Sequence, residues 1–439
     1  MSQPAYFLSM TLAQVRCFGP EQTLDLRDAD GRPARWTIIL GENGVGKTTL
    51  LQCLCAIRPT VFPRLPGTLV GTVPHVSHWG IQFHELMHRV TSESEMSMEA
   101  ECVVPDDPHS LTGVGQSMVF RHEITPHGGQ GTQYSKADVS MFCCAYGASR
   151  RPGKGGLTGT DSTDPTLSLY REDAVLVNVE EWILQADYAA RGSGSVKANA
   201  RFDRVKDTLL QLLEQVDDLR VVGLEHAPPQ PAVELHTPYG WVRPHQLSLG
   251  YRTLLAWVVD LAHQMFARYP DSEDPLAEPV VVLVDEIDLH LHPRWQRDLI
   301  GFLGQRFPNA QFIVTAHSPL VVQAAPDANL VVVRRENGDD HVTIHNDPAA
   351  VRGWRVDQIL TSDLFGLASA RPPEQERLLT RRTELLRNDR RTPDEEAELR
   401  TIDGALAKLP QGDSAHDVEA WEIIHRFAEH LRGHEDAAE

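Results

Sequence analysis

Apolar positions along this chain fall into three rhythms. Solid runs at 36–40, 279–284 and 311–315 show no polar alternation, so each reads as a strand covered on both faces. Helical stretches accompany them, at 47–57 behind the first run, from 247 ahead of the second, and at 294–307 between the second and third. This alternation predicts an α/β fold, a mixed sheet flanked by helices. Further strands are expected at 6–12 and 22–26, and a hairpin at 330–335 and 341–345 around the polar turn 336–340.

Between 59 and 135 the rhythm changes to Pro, Gly, His and Thr with short β-like runs at 100–104 and 117–125, which predicts an antiparallel inserted lobe. Loops are expected at 153–166 and 192–195. Phe202, Val205, Leu209, Leu212, Leu213 and Val216 recur at helical spacing and predict one helix over 201–219. The third rhythm begins after 351, where the sequence is helical and strongly charged. Thr392-Pro393-Asp394-Glu395 is a capped helix start, followed by Leu399, Ile402, Leu406 and Leu409. With Leu378, Leu379, Leu385 and Leu386 before it, this predicts a helical hairpin over 374–409, too short for a long coiled-coil arm.

At 439 residues the chain exceeds one ordinary core, and 41% hydrophobic with 23% charged residues is a folded balance. The expected division is 1–58, an inserted lobe at 59–240, 241–350 returning to the first core, and a helical 351–439. No apolar run is long enough to cross a bilayer and no basic-then-hydrophobic leader opens the sequence, so no membrane contact and a cytoplasmic location are expected. The six cysteines have neither zinc-site nor redox-pair spacing and read as buried thiols. A formal charge of −20 argues against a surface built throughout for nucleic acid.

Chemistry concentrates in a few short segments. Gly41-Glu42-Asn43-Gly44-Val45-Gly46-Lys47-Thr48 fits G-x-x-x-x-G-K-[ST] between a strand and a helix. Gly41, Gly44 and Gly46 let successive amides, including that of Asn43, turn toward phosphate oxygens. The helix start adds positive potential, Lys47 reaches the outer phosphates, and Thr48 supplies a Mg2+ ligand beside Thr49. The apolar run ending at Val284 delivers Asp285 to the metal and Glu286 to an attacking water, the two roles that phosphoryl transfer from ATP requires. Leu247-Ser248-Leu249-Gly250-Tyr251-Arg252 opens a helix, where the Ser248 hydroxyl and the Gly250 amide make a second anion site. His317 follows the end of the third run. His290 and His292 suggest a metal pair but have no third ligand in the sequence.

The order of these segments resembles the ABC-type ATPase head, specifically the soluble SMC/RecF/OLD-like branch, over 1–57 and about 240–335. The first strand and turn at 10–19, with Arg16 before Phe18, match that branch. Asp288 to Pro293 resembles its subunit-contact loop, and Thr315-Ala316-His317-Ser318-Pro319 its switch-histidine loop, which implies that His317 is a phosphate-sensor candidate. The resemblance implies a homodimer in which Ser248 and Gly250 close over ATP held by the second copy. Tyr146-Gly147-Ala148-Ser149-Arg150 and the 362–367 segment resemble small PtuA-like defence ATPases of Septu and retron systems. That implies an ATP-dependent switch controlling a separate effector protein, a nuclease, in bacterial anti-phage defence.

Departures bound the reading. The glutamine loop of the ABC family has only Gln82 and Gln116 as candidates, and no Toprim nuclease carboxylates follow His317. Of the basic pairs at 150–151, 334–335, 381–382 and 390–391, Arg150 with Lys154 is the candidate nucleic-acid contact. The alternatives are a RecF-like ATPase that binds duplex DNA, a transporter nucleotide-binding subunit, and a module that keeps ATP without turnover.

Overall fold

The computed structural model describes residues 3–61, 72–74, 96–107, 111, 115–124, 130–132, 139–153, 164–193, 196–213, 216–223, 231–336, 338–346, 348, 351–367, 369–388 and 391–406. Gln82, Lys154, Arg390 and Leu409, together with most of the 153–166 loop, lie outside these residues.

The three solid runs lie side by side. A six-stranded sheet has the order Thr343–His345, Asn329–Arg334, Trp36–Leu40, Ala310–Thr315, Val280–Val284, Cys143–Tyr146. All neighbours are parallel except the edge strand Thr343–His345, which makes the sheet mixed. Alternate residues of each central strand enter different cores. Val280, Val282 and Val284 join the cluster under the helix Leu249–Arg268, whereas Val281 and Leu283 join the one under the helix Lys47–Ile57. Every residue of Val280–Val284 is buried, which is why its sequence carries no polar alternation.

The second core is closed by a five-stranded antiparallel sheet of order Gln22–Asp25, Tyr6–Ala13, Met96–Pro105, Gly115–Ile124, Gln130–Thr132. The 59–240 stretch therefore does not stand apart from the nucleotide head. It pairs Met96–Pro105 with the opening strand and lends Cys143–Tyr146 to the central sheet. The four residues of Cys143–Tyr146 are all buried, and that burial hides the strand from any alternation test.

The helix expected over 201–219 is observed as Val196–Leu212, and Leu219 belongs instead to the strand Asp218–Val222 paired with Ala232–Thr237. Leu209, Leu213 and Val216 are buried across this break, since a turn preserves three- and four-residue spacing as well as a helix does. A preceding helix, Val179–Ser193, went unread; Asn178 caps it by accepting the Glu180 amide at 2.8 Å.

Contacts divide the chain into a unit of Met1–Phe365 and one of Gly366–Glu439. The second unit holds the helices Pro373–Arg387 and Pro393–Leu406. Arg381 grips Glu398 through two hydrogen bonds of 2.9 and 2.8 Å, and Thr392 with Glu395 forms the expected capping box.

Candidate functional site

The phosphate loop joins the strand Trp36–Leu40 to the helix Lys47–Ile57, and its glycines are needed for shape. Gly44 and Gly46 have φ of 81° and 90°, and a side chain on Gly46 would strike the Cys17 sulfur and the Phe18 ring. Gly46 occupies the helix N-cap without a side-chain cap, leaving the first amides of the helix open to an anion. Lys47 is buried and donates to the carbonyls of Gly41 at 2.8 Å and Glu42 at 2.7 Å. Burial pulls its ammonium pKa down, opposed by Asp285, Glu286, Asp288 and Glu42.

Around Asp285 the chain makes a hydroxyl clasp. Thr48 Oγ1 donates to one carboxylate oxygen at 2.7 Å and Thr315 Oγ1 to the other at 2.6 Å. Thr315 Oγ1 in turn accepts the Glu286 amide at 2.7 Å, so one threonine fixes both acidic residues. Glu286 has φ of 48°, a left-handed conformation unusual for a residue with a side chain. Asp288 accepts the His317 amide at 3.0 Å through Oδ2, while its Oδ1 is buried with no hydrogen-bond partner among the described residues. Gln296 ties the same two loops, accepting Ser318 Oγ at 2.7 Å and donating to the Leu291 carbonyl at 3.0 Å. The Asp288–Pro293 turn and the loop carrying His317 and Ser318 are thus one bonded assembly.

Ser248 caps the helix Leu249–Arg268, accepting the Tyr251 amide at 3.5 Å. A side chain on Gly250 would meet the His290 carbonyl, so this helix starts directly against the Asp288–Pro293 turn.

Two family descriptions match the chain: "AAA domain" over 9–68, and "AAA domain, putative AbiEii toxin, Type IV TA system" over 166–323. The first contains the phosphate loop; the second contains the Ser248 helix, the acidic strand and His317. Both stretches are thus similar to AAA domains. Among curated proteins, a Septu protein PtuA of Bacillus mycoides (strain KBAB4) is 26% identical over 403 residues, which are 91% of this chain and 50% of that protein. The "Retron Ec83 probable ATPase" of Escherichia coli is 40% identical over 129 residues, 29% of this chain and 22% of that protein. The chain thus spans half the length of the first relative and less of the second. A solved SMC head bound to the C-winged helix domain of ScpA aligns at TM-score 0.43 and 14% identity, covering 77% of this chain and 97% of that one.

Lys47, Thr48, Asp285 and Glu286 come together at one end of the central sheet. Thr48 and Asp285 form a hard oxygen pair of the kind magnesium takes alongside phosphate and water ligands. Thr49 is buried and its hydroxyl accepts from Arg16 at 3.3 Å. Asn43 is exposed, as an amide offered to a ligand must be. His292 caps the helix Pro293–Arg306 by accepting the Arg294 amide at 3.3 Å, which accounts for it without a metal.

Two expectations change. Gln116 lies within the antiparallel strand Gly115–Ile124, opposite Val104, rather than in a loop. Arg150 is also not a surface contact for nucleic acid. It is 3% exposed and donates to the carbonyls of Gly147 (3.0 Å), Asp285 and Glu286. Its neighbours in sequence, a basic pair before a glycine loop, gave it the appearance of a surface residue.

Residues not singled out beforehand include Gln296 and Asp260. Asp260 sits on the buried side of Leu249–Arg268, accepting Tyr146 Oη at 2.9 Å and the Val177 amide at 3.0 Å. The signal was available, since Asp260 is the only acidic residue in an otherwise apolar 254–262 stretch.

Proposed function

We propose that this chain is an ATP-dependent dimerising switch that hydrolyses ATP at sites shared between two copies, in the cytoplasm. The clasp of Thr48, Asp285, Thr315 and Glu286 carries this reading, because it sets a metal-ligand pair and a water-activating carboxylate against Lys47 and the open helix start. Magnesium held by Thr48 and Asp285 would neutralise charge on the outer phosphates. Lys47 exchanges its two carbonyl partners for phosphate oxygens, and Glu286 accepts a proton from the attacking water. Ser248 and the Gly250 amide, projecting from a helix start of their own, complete the site on the second copy. The Asp288–Pro293 turn lies directly against Gly250 and accepts the His317 amide through Asp288, giving the dimer contact a route to the phosphate sensor.

The output lies in a separate effector, a nuclease, and the setting is bacterial anti-phage defence. The similarity to Septu and retron ATPases supports that assignment.

The decisive experiment compares two variants. Lys47→Ala should abolish ATP binding, since it removes the cation and leaves two carbonyls unpaired. Glu286→Gln should bind ATP normally, release no phosphate, and accumulate as a dimer in ATP by sedimentation. Phosphate release by both variants at the parent rate overturns the proposal.

A further inference from the structure

Arg150 poses a problem that the ATPase reading does not use. Removing a guanidinium from water is costly unless it is well compensated, and buried arginines are ordinarily matched to carboxylates. Among the described residues, every hydrogen bond that the Arg150 side chain makes goes to a main-chain oxygen, those of Gly147, Asp285 and Glu286. Burial drives its pKa down to about 10, with the charges of Asp285, Asp288 and Glu286 acting in the opposite direction.

The geometry suits an arginine and no other side chain. The planar fork presents several N–H groups in fixed directions, so one residue can hold two consecutive carbonyls from the acidic pair and a third from its own turn. Those carbonyls flank the peptide unit at which the chain leaves the strand Val280–Val284 and enters the left-handed conformation of Glu286. Arg150 is itself left-handed, with φ of 26°. Two left-handed residues, on the loops that follow adjacent strands, are therefore bonded to each other, and such conformations persist only where neighbouring structure enforces them.

We propose that Arg150 is a positioning residue for ATP hydrolysis: by holding the Asp285 and Glu286 carbonyls it locks the turn that aims the Glu286 carboxylate. Thr315 restrains the same peptide from the opposite strand through the Glu286 amide, so the acidic pair is pinned from both neighbouring strands. The inference rests on Glu286 acting on the attacking water, as proposed above.

The test separates binding from turnover. In Arg150→Ala, ATP affinity should stay at the parent value, while single-turnover hydrolysis falls about 100-fold, the scale expected when a reacting group is displaced by an ångström or so. Millimolar guanidinium should restore a large part of the lost rate, because the cavity matches it. Arg150→Lys supplies one compact cation for three carbonyls and should be slow. If Arg150→Ala does not fold, Arg150→Lys carries the test by keeping the parent ATP affinity while its single-turnover rate falls.

Hydrolysis by Arg150→Ala at the parent rate overturns the inference, as does a loss of affinity parallel to the loss of rate without response to guanidinium. A parent that does not hydrolyse ATP overturns the underlying reading and this inference with it. An inactive Glu286→Gln beside a fully active Arg150→Ala overturns this inference alone.

Discussion

At the scale of single residues, the site is built by small hydroxyl side chains as much as by charged ones. Thr315 donates to Asp285 and accepts from the Glu286 amide, and it is fully buried. Replacing it with valine keeps the shape and removes both bonds, leaving a carboxylate oxygen and an amide without partners. Such a loss costs about 1–3 kcal/mol per buried group. Thr315→Val should therefore lower unfolding stability in urea by roughly that much and slow hydrolysis with little change in ATP affinity, because Lys47 and the loop amides remain. Stability and rate both equal to the parent's would count against the clasp. Thr315 also marks a limit of reading from sequence. Its motif was recognisable, but attention falls on the histidine two residues later, and a threonine at a strand end gives no sign of bridging a carboxylate and the next backbone amide beyond a neighbouring strand.

At the scale of elements, the legible parts were those whose pattern follows from their burial. Continuous apolar strands, the phosphate loop and the capped helix beginning at Pro393 could be read because local chemistry dictates each of them. Arg150 could not, since its role depends on Cys143–Tyr146 lying beside Val280–Val284, a pairing between residues far apart in sequence. Gly250 is an intermediate case. Its place in an anion-binding helix start was clear, but its contact with the His290 carbonyl was not. That contact reverses the usual effect of a substitution. Glycine to alanine within a helix ordinarily gains up to about 1 kcal/mol. Here a methyl group would meet the carbonyl at 2.5 Å, so either the helix start or the Asp288–Pro293 turn must shift. Gly250→Ala should consequently melt lower than the parent and, on a Glu286→Gln background, fail to accumulate as a dimer in ATP. A higher melting temperature would mean that the turn yields freely.

At the scale of the whole molecule, the two compact units differ in what can hold them together. Everything in the candidate site, from Arg16 to His317, belongs to Met1–Phe365, which contains both large cores and the complete central sheet. Among the described residues of the second unit, only Leu385 and Ile402 are buried. Its helices are joined mainly by exposed pairs such as Arg381 with Glu398 and Arg382 with Asp403, and exposed pairs contribute little. A core of two side chains cannot offset the chain entropy of the hairpin formed by these described residues. A fragment of residues 366–406 should accordingly show weak helicity by circular dichroism and no cooperative melting. A fragment of residues 1–365 should unfold cooperatively, bind ATP with the parent affinity and release phosphate at the parent rate. Loss of ATP binding in the longer fragment would show that the nucleotide site needs residues beyond 365.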